Sequence, residues 1–232
     1  MLSPVRQDTV PGRDAQSSSD PDNINSIPGA VRSGPIPIGG FQQKADPWGT
    51  DLIDNDLPQL RRHQEQTRRR QEFDVVVVAS LIDRIPNLAG LSRTCEILGA
   101  TALVLPSLEI AQDQAFRNVS MTSELWLELL GVDPSQLASY LMQQRLAGYR
   151  IVAVEQSSQS IMLQHYLFPP RCCLVLGSER EGIPAEILHL VDDCVEIPQF
   201  GKIRSLNVHV TGSLILWEAR RQRLCTSSGY RQ

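Results

Sequence analysis

The run Phe73-Asp74-Val75-Val76-Val77-Val78-Ala79 decides how the rest of the chain is read. Four consecutive valines make a strand apolar on both faces, and such a strand belongs inside a parallel sheet covered by helices on either side. Working downstream, Leu88, Leu91, Cys95 and Leu98 recur at helical spacing, and Gly99 is a natural stop. Thr101 to Leu105 is a second strand ended by Pro106. Ser135 to Ala147 is an amphipathic helix closed by Gly148, followed by strands at Arg150 to Val154, Arg171 to Leu176 and Cys194 to Pro198. A last helix runs from about Ser205 to Arg223, with Leu206, Val210, Leu214 and Trp217 forming a stripe. Strands alternating with helices predict an α/β domain with a mainly parallel sheet over 73–224, and a tail over 225–232.

Upstream of the valine run the composition is different. Residues 1–72 are polar, with Pro, Gly, Ser, Asp and Gln dominating as far as about residue 55. Few aliphatic residues mean little apolar surface to offset the entropy of ordering, so this segment is expected to be largely disordered. Within it, 56–72 has helix-forming residues and the triplet Arg68-Arg69-Arg70. It reads either as a solvated helix or as a basic arm that touches RNA phosphates.

Of the 232 residues, 41% are apolar and 21% charged, enough for a packed core. The net charge of −4 argues against indiscriminate coating of nucleic acid and leaves room for a local basic patch. No apolar run approaches the roughly 18 residues of a membrane span, and no basic-then-apolar leader opens the chain. The five cysteines form no CxxC pair and no Cys/His spacing of a zinc site, so no metal is expected. Adjacent Cys172 and Cys173 read as small buried hydrophobes in a reduced, intracellular and cytoplasmic protein.

Parallel sheets bind ligands outside the C-terminal ends of their strands, so the loops there are where chemistry is sought. One such segment, Asn87 to Arg93, opens the first helix; Asn87 suits a helix cap and Arg93 a surface position. A second, Leu176-Gly177-Ser178-Glu179-Arg180-Glu181-Gly182-Ile183-Pro184, is a charged turn between two glycines straight after a buried strand. The third, Ile197-Pro198-Gln199-Phe200-Gly201-Lys202-Ile203-Arg204-Ser205-Leu206-Asn207, is polar for a link into an apolar helix, with Ser205 an adequate N-cap. Each of these alone has an ordinary structural explanation.

In this order the three segments resemble the signature motifs of the SpoU (TrmH-like) family of SPOUT RNA 2'-O-ribose methyltransferases. Asn87, Ala89, Gly90, Arg93, Thr94 and Gly99 match the first motif, and Leu176, Gly177, Glu179 and Gly182 the second. Ile197, Pro198, Ser205, Leu206, Asn207, Val208 and Gly212 match the third. Glu179-Arg180-Glu181-Gly182-Ile183-Pro184 and Ile203 to Val210 bring the chain nearest to the tRNA guanosine-2'-O-methyltransferases, in particular the catalytic domain of the eukaryotic TAR RNA-binding-protein-like members.

The resemblance implies a C-terminal trefoil knot, S-adenosylmethionine as cofactor, a homodimer, and methylation of a ribose 2'-hydroxyl in RNA, with a guanosine of the tRNA D-loop as target. No DNA or membrane partner is implied. Arg93 takes the catalytic place, with Asn87, Glu179, Ser205 and Asn207 orienting it and the ribose. The backbone near Leu176, Gly177, Ile197, Pro198 and Leu206 would hold the cofactor, with Glu155 and Gln156 lining its pocket. Lys202 and Arg204, with Arg93, would meet RNA, and the cations Lys202, Arg204, Arg220, Arg221, Arg223 and Arg231 together read either as a docking stripe or as a solvated helix end. His209 reads as helix packing. Two rivals remain: an RNA-binding module without catalysis, or methylation of ribosomal RNA. A nucleotide-dependent oxidoreductase is disfavoured, since Ser80-Leu81-Ile82-Asp83 stands where a glycine fingerprint would be.

Overall fold

In the computed structural model, which describes residues 31–32 and 73–227, Val75 and Val77 pack on one side of the sheet and Val76 and Val78 on the other. All four are buried, so the valine run is the two-faced central strand that its composition requires. The strands are β1 (Val31–Arg32), β2 (Asp74–Val78), β3 (Ala102–Leu105), β4 (Glu128–Gly131), β5 (Arg150–Val154), β6 (Ile161–Met162), β7 (Arg171–Leu176) and β8 (Asp193–Glu196). The helices are α1 (Ile85–Leu98), α2 (Gln114–Ser120), α3 (Leu137–Leu146), α4 (Ala185–Leu188) and α5 (Val208–Ser227).

The sheet order is β1-β4-β3-β2-β7-β5-β8-β6. Every pairing is parallel except that of β1 with β4. One face is covered by α1, α2 and α5, which bury Leu88, Leu91, Cys95, Phe116, Ile215, Leu216 and Ala219. The other is covered by α3 and α4 through Leu137, Tyr140, Leu141 and Ile187. From β2 the chain builds outward through β3 and β4, then returns to build the opposite half from β5, so the order reverses between β2 and β7. In such a sheet the ligand crevice opens outside the strand ends at that reversal. The β2–β7 register, Asp74 opposite Arg171 to Val78 opposite Val175, sets the loops after these two strands side by side.

The far end of the same strands is clamped by a charged cluster. Asp74 accepts from Tyr149 at 2.6 Å, Thr101 at 3.0 Å and Arg171 at 2.8 Å. Cys172 and Cys173 are free and buried, and burial pushes the Cys172 thiol up to about 12, so both are packing groups.

Several expectations need correction. Helix α1 starts at Ile85, three residues before the periodic stretch begins, because Pro86 suits the first turn. Gly99 ends it as expected, in the left-handed conformation at φ 69°. The fifth strand is Asp193–Glu196, leaving Ile197 and Pro198 in the loop. Helix α5 starts at Val208, three residues after Ser205, and continues to Ser227, so the expected tail begins inside it; the next breaker is Gly229. Its apolar stripe also faces the other way. Ile215, Leu216 and Ala219 are buried, while Val210, Leu214 and Trp217 are exposed at 44, 41 and 49%. The excursion between β3 and β4 holds α2, whose N-cap Asp113 accepts from Ala115 N at 2.7 Å. Apart from β1, the N-terminal segment and its basic stretch 56–72 lie outside the described residues.

Candidate active site

Three loops meet outside the ends of β2, β7 and β8. The loop after β7 is a tight hairpin: Ser178 N donates to Gly182 O at 2.9 Å and Gly182 N to Ser178 O at 3.2 Å. Gly182 sits at φ 70°, a conformation other residues rarely adopt. The hairpin presents Glu179 to the entrance of α1. One Glu179 oxygen accepts from Asn87 Nδ2 at 2.8 Å and Arg84 N at 3.3 Å, and the other from Asp83 N at 3.2 Å. Helix α1 has no side-chain cap of its own. Glu179 supplies acceptors from across the sheet instead, which is favourable for an anion at a helix N-terminus.

Asn87 lies in the first turn of α1 and does not cap it. Its Oδ1 accepts from Asn207 Nδ2 at 3.0 Å. Asn207 Oδ1 accepts from His209 N at 2.9 Å and Val210 N at 3.4 Å, so Asn207, not Ser205, is the N-cap of α5. The result is a directed chain of hydrogen bonds, Asn207 to Asn87 to Glu179, with each amide fixed at both ends. It ties one residue from each of the three loop motifs together.

Partial burial raises the Glu179 pKa, but the bonds from Asn87 and from backbone N–H groups outweigh it and hold the carboxyl below its ordinary range. Glu179 is therefore a fixed anionic acceptor and poorly matched to work as a general base near neutrality.

Arg93 stands exposed on α1, roughly 9 Å along the axis from Asn87 and about a third of a turn around it. Among the described residues it makes no hydrogen bond to the Asn87, Glu179, Ser205 and Asn207 set, so these residues do not orient it directly. What fixes its helix is the packing of α1 on α5. His209 lies flat against Gly90, where any Cβ would run into its ring. Its Nε2 meets Thr94 Oγ1 at 3.0 Å, and Thr94 also meets Ser213 Oγ at 3.2 Å. His209 is thus a packing residue.

Desolvation lowers the His209 pKa below its ordinary 6.5. As pH falls through 6.5 the unfolded chain takes a proton before the folded one. The stability contributed by neutral His209 is therefore present above that pH and lost below it, down to the folded value. Melting curves from pH 7.5 to 5.5 should show a smaller loss of stability in His209→Gln than in the wild type; equal slopes would refute this assignment.

The cofactor-side residues divide into two kinds. Leu176 is buried in the core and Gly177 beneath the hairpin, so both offer backbone groups only. Ile197 packs partly on the core, while Pro198 is half-buried and Leu206 exposed. Between 197 and 206 no backbone–backbone hydrogen bond forms among the described residues, so apart from Arg204 O, which accepts from Gln156 Nε2 at 3.4 Å, this loop's peptide groups are open for recognition. Glu155 does not turn its carboxylate to the crevice alone; both oxygens are engaged, by Gln156 N at 3.0 Å and Ile183 N at 3.3 Å.

Residues 74–217, more than half of the chain, match the SpoU rRNA Methylase family. The chain belongs to that family. This SpoU family chain is 48% identical over 183 residues to the Mus musculus tRNA (guanosine(18)-2'-O)-methyltransferase TARBP1, covering 79% of this chain and 12% of the relative. It is 33% identical to the tRNA (guanosine(18)-2'-O)-methyltransferase of Saccharomyces cerevisiae, covering 76% of this chain and again 12% of the relative. The chain thus spans about an eighth of the length of these two relatives. Among solved structures, the A. aeolicus TrmH/SpoU tRNA modifying enzyme superposes with a TM-score of 0.58 at 26% identity, covering 71% of this chain and 85% of that one.

Seen as a SpoU domain, the chain brings Asn87, Glu179 and Asn207 into one network and leaves Arg93, Lys202, Arg204 and Ser205 exposed around it. The C-terminal cations are largely engaged elsewhere. Arg220 caps α1 through Leu98 O at 2.7 Å and Gly99 O at 2.8 Å, and stacks on Phe73. Arg221 pairs with Glu218, and Arg223 donates to Phe168 O. Of the stripe, Arg220, Arg221 and Arg223 make these contacts within the domain, and Arg231 lies outside the described residues. Sequence reasoning missed the backbone of Asp83 and Arg84 as partners of Glu179, and Ser213 as a partner of Thr94. Contacts between positions about a hundred residues apart leave no local signal.

Proposed function

We propose that this SpoU domain methylates a ribose 2'-hydroxyl in RNA, with S-adenosylmethionine as donor and a guanosine in the D-loop of tRNA as target. The observation that carries this reading is the Asn207–Asn87–Glu179 chain, which joins the three motif loops at the sheet's order reversal beside the exposed Arg93. The relatives' names supply the target nucleoside.

The cofactor fits the groups present. Its adenosyl part carries no phosphate, and the crevice has apolar Ile197, Pro198 and Leu206 with open backbone rather than a phosphate-binding loop. Bound there, S-adenosylmethionine supplies an activated methyl on a sulfonium. The chain's own work is to position and deprotonate. The backbone of Leu176, Gly177, Ile197 and Leu206 holds the cofactor. Asn87, Glu179 and Asn207 fix the loops around the ribose. A guanidinium has donors and no acceptor, so Arg93 works with an RNA phosphate, gripped through two parallel N–H···O bonds, that takes up the hydroxyl proton. Lys202 and Arg204 extend the contact along the RNA backbone.

Two further features belong to this reading. The segment 197–207 carries the chain from β8, beyond β5, back to α5 on α1, and so across the ends of β5 and β7; this crossing supports the trefoil knot. The exposed stripe Val210, Leu214 and Trp217 on α5 supports a homodimer built on that helix.

The test is methyl transfer from labelled S-adenosylmethionine to unmodified tRNA and, in parallel, ribosomal RNA. Label is expected at the 2'-oxygen of the D-loop guanosine, and none on tRNA already methylated there. Label on ribosomal RNA alone would replace the substrate. Cofactor binding with no RNA labelled would favour the RNA-binding module.

A further inference from the structure

We infer that Glu155 and Gln156 are a clasp that sets the loop after β7 and the loop after β8 against each other, so that Glu155 is a positioning residue and not a cofactor contact. The inference rests on the cofactor site proposed above.

Glu155 follows β5, the strand that lies between β7 and β8. Its backbone is pinned from β8: Glu155 N donates to Val195 O at 3.1 Å, and Cys194 Sγ donates to Glu155 O at 3.2 Å. From this anchor the carboxylate reaches sideways to the β7 loop, where Oε2 accepts from Ile183 N at 3.3 Å. The same oxygen stands where a Cβ on Gly182 would be, so the missing side chain of Gly182 is the space the carboxylate fills. The other oxygen accepts from Gln156 N at 3.0 Å, which fixes the next residue. Gln156 then reaches to the other side, its Nε2 donating to Arg204 O at 3.4 Å. One dipeptide therefore grips both loops whose backbone would hold the cofactor.

The consequence follows from what the second loop lacks. With no backbone–backbone bond among the described residues between 197 and 206, that segment is held in place by Gln156 at Arg204 and by the Asn207 cap. Ordering a loop before a ligand arrives removes that entropy from the binding step. Release of the clasp is then felt in cofactor affinity, while the chemistry at Arg93, on the other side of the network, proceeds once the site is filled.

The experiment uses the full chain with Glu155→Gln and Gln156→Ala. For Glu155→Gln, the affinity for S-adenosylhomocysteine measured by calorimetry should fall about tenfold, and KM for S-adenosylmethionine should rise by the same factor. The kcat at saturating cofactor should stay within about twofold. In the unliganded protein, amide exchange should quicken in 178–183, where Gly182 N and Ile183 N are bonded, tryptic cleavage after Lys202 and Arg204 should quicken, and the strands should stay protected. Gln156→Ala, which alters an exposed side chain, should quicken the cleavage after Lys202 and Arg204 alone and keeps the inference testable if Glu155→Gln unfolds. Unchanged exchange in 178–183 together with unchanged cleavage after Lys202 and Arg204 overturns the clasp, as does a kcat loss without a change in KM. Failure of the wild type to bind S-adenosylhomocysteine would count against the proposed function instead, since the exchange comparison needs no ligand.

Discussion

Replacing Arg93 with alanine is expected to lower methyl transfer about a thousandfold while leaving the fold and the binding of S-adenosylhomocysteine intact. The side chain is exposed, and among the described residues it has no hydrogen-bond or ion-pair partner to strand. Alanine is the best helix former, so an exposed position in α1 should change stability by less than about 0.5 kcal/mol. The loss should then lie in the grip on the RNA phosphate and in the chemical step, and not in the fold or the cofactor site. Arg93→Lys separates charge from geometry: a lysine keeps the positive charge and loses the planar fork that grips a phosphate through two bonds. If deprotonation needs the gripped phosphate, lysine recovers little. Single-turnover transfer with the three proteins, beside their melting temperatures and ligand affinities, is the measurement. A rate for Arg93→Ala within a few-fold of wild type would remove Arg93 from the reaction.

The fold was legible wherever one residue pattern allows one structure. Four valines in a row have no exposed face, so β2 had to be central, and Gly99 stops α1 because a left-handed residue is needed there. Helix α5 was legible only as a helix. Apolar residues lie on two of its faces, and periodicity does not say whether Ile215 and Leu216 or Leu214 and Trp217 meet the sheet. The caps show the same limit. Ser205 and Asn207 are both good N-cap residues, and the choice falls to Asn207 because its amide also reaches Asn87, a partner set by tertiary structure. The motifs singled out Asn87, Glu179 and Asn207, which the structure joins in one network. Their bonds were not: Glu179 to the N–H groups of Asp83 and Arg84, and Glu155 to Ile183, join residues that only the sheet order brings together.

The glycines of the two loops should respond in opposite ways to the same added methyl. Gly177 has no unusual backbone angle; what it needs is room. A Cβ there would stand 2.5 Å from Gly182 C, 2.7 Å from Gly182 Cα and 2.8 Å from Ile183 N. These are backbone atoms of the opposite limb of the hairpin, so no side chain can swing aside. Gly177→Ala must open the hairpin, strain the paired bonds between Ser178 and Gly182, and displace Glu179 from Asn87. Overpacking of this kind costs about 1–3 kcal/mol, and the distorted loop should lose more than about tenfold in affinity for S-adenosylhomocysteine. Gly201 supplies the control, since a Cβ there meets nothing within 4 Å. Gly201→Ala should melt within about 0.5 kcal/mol of wild type and keep its hairpin intact. Chemical denaturation and ligand titration of the two variants side by side check the contrast. A Gly177→Ala protein as stable and as tightly binding as Gly201→Ala would mean that the hairpin is not the rigid mount for Glu179 on which the site depends.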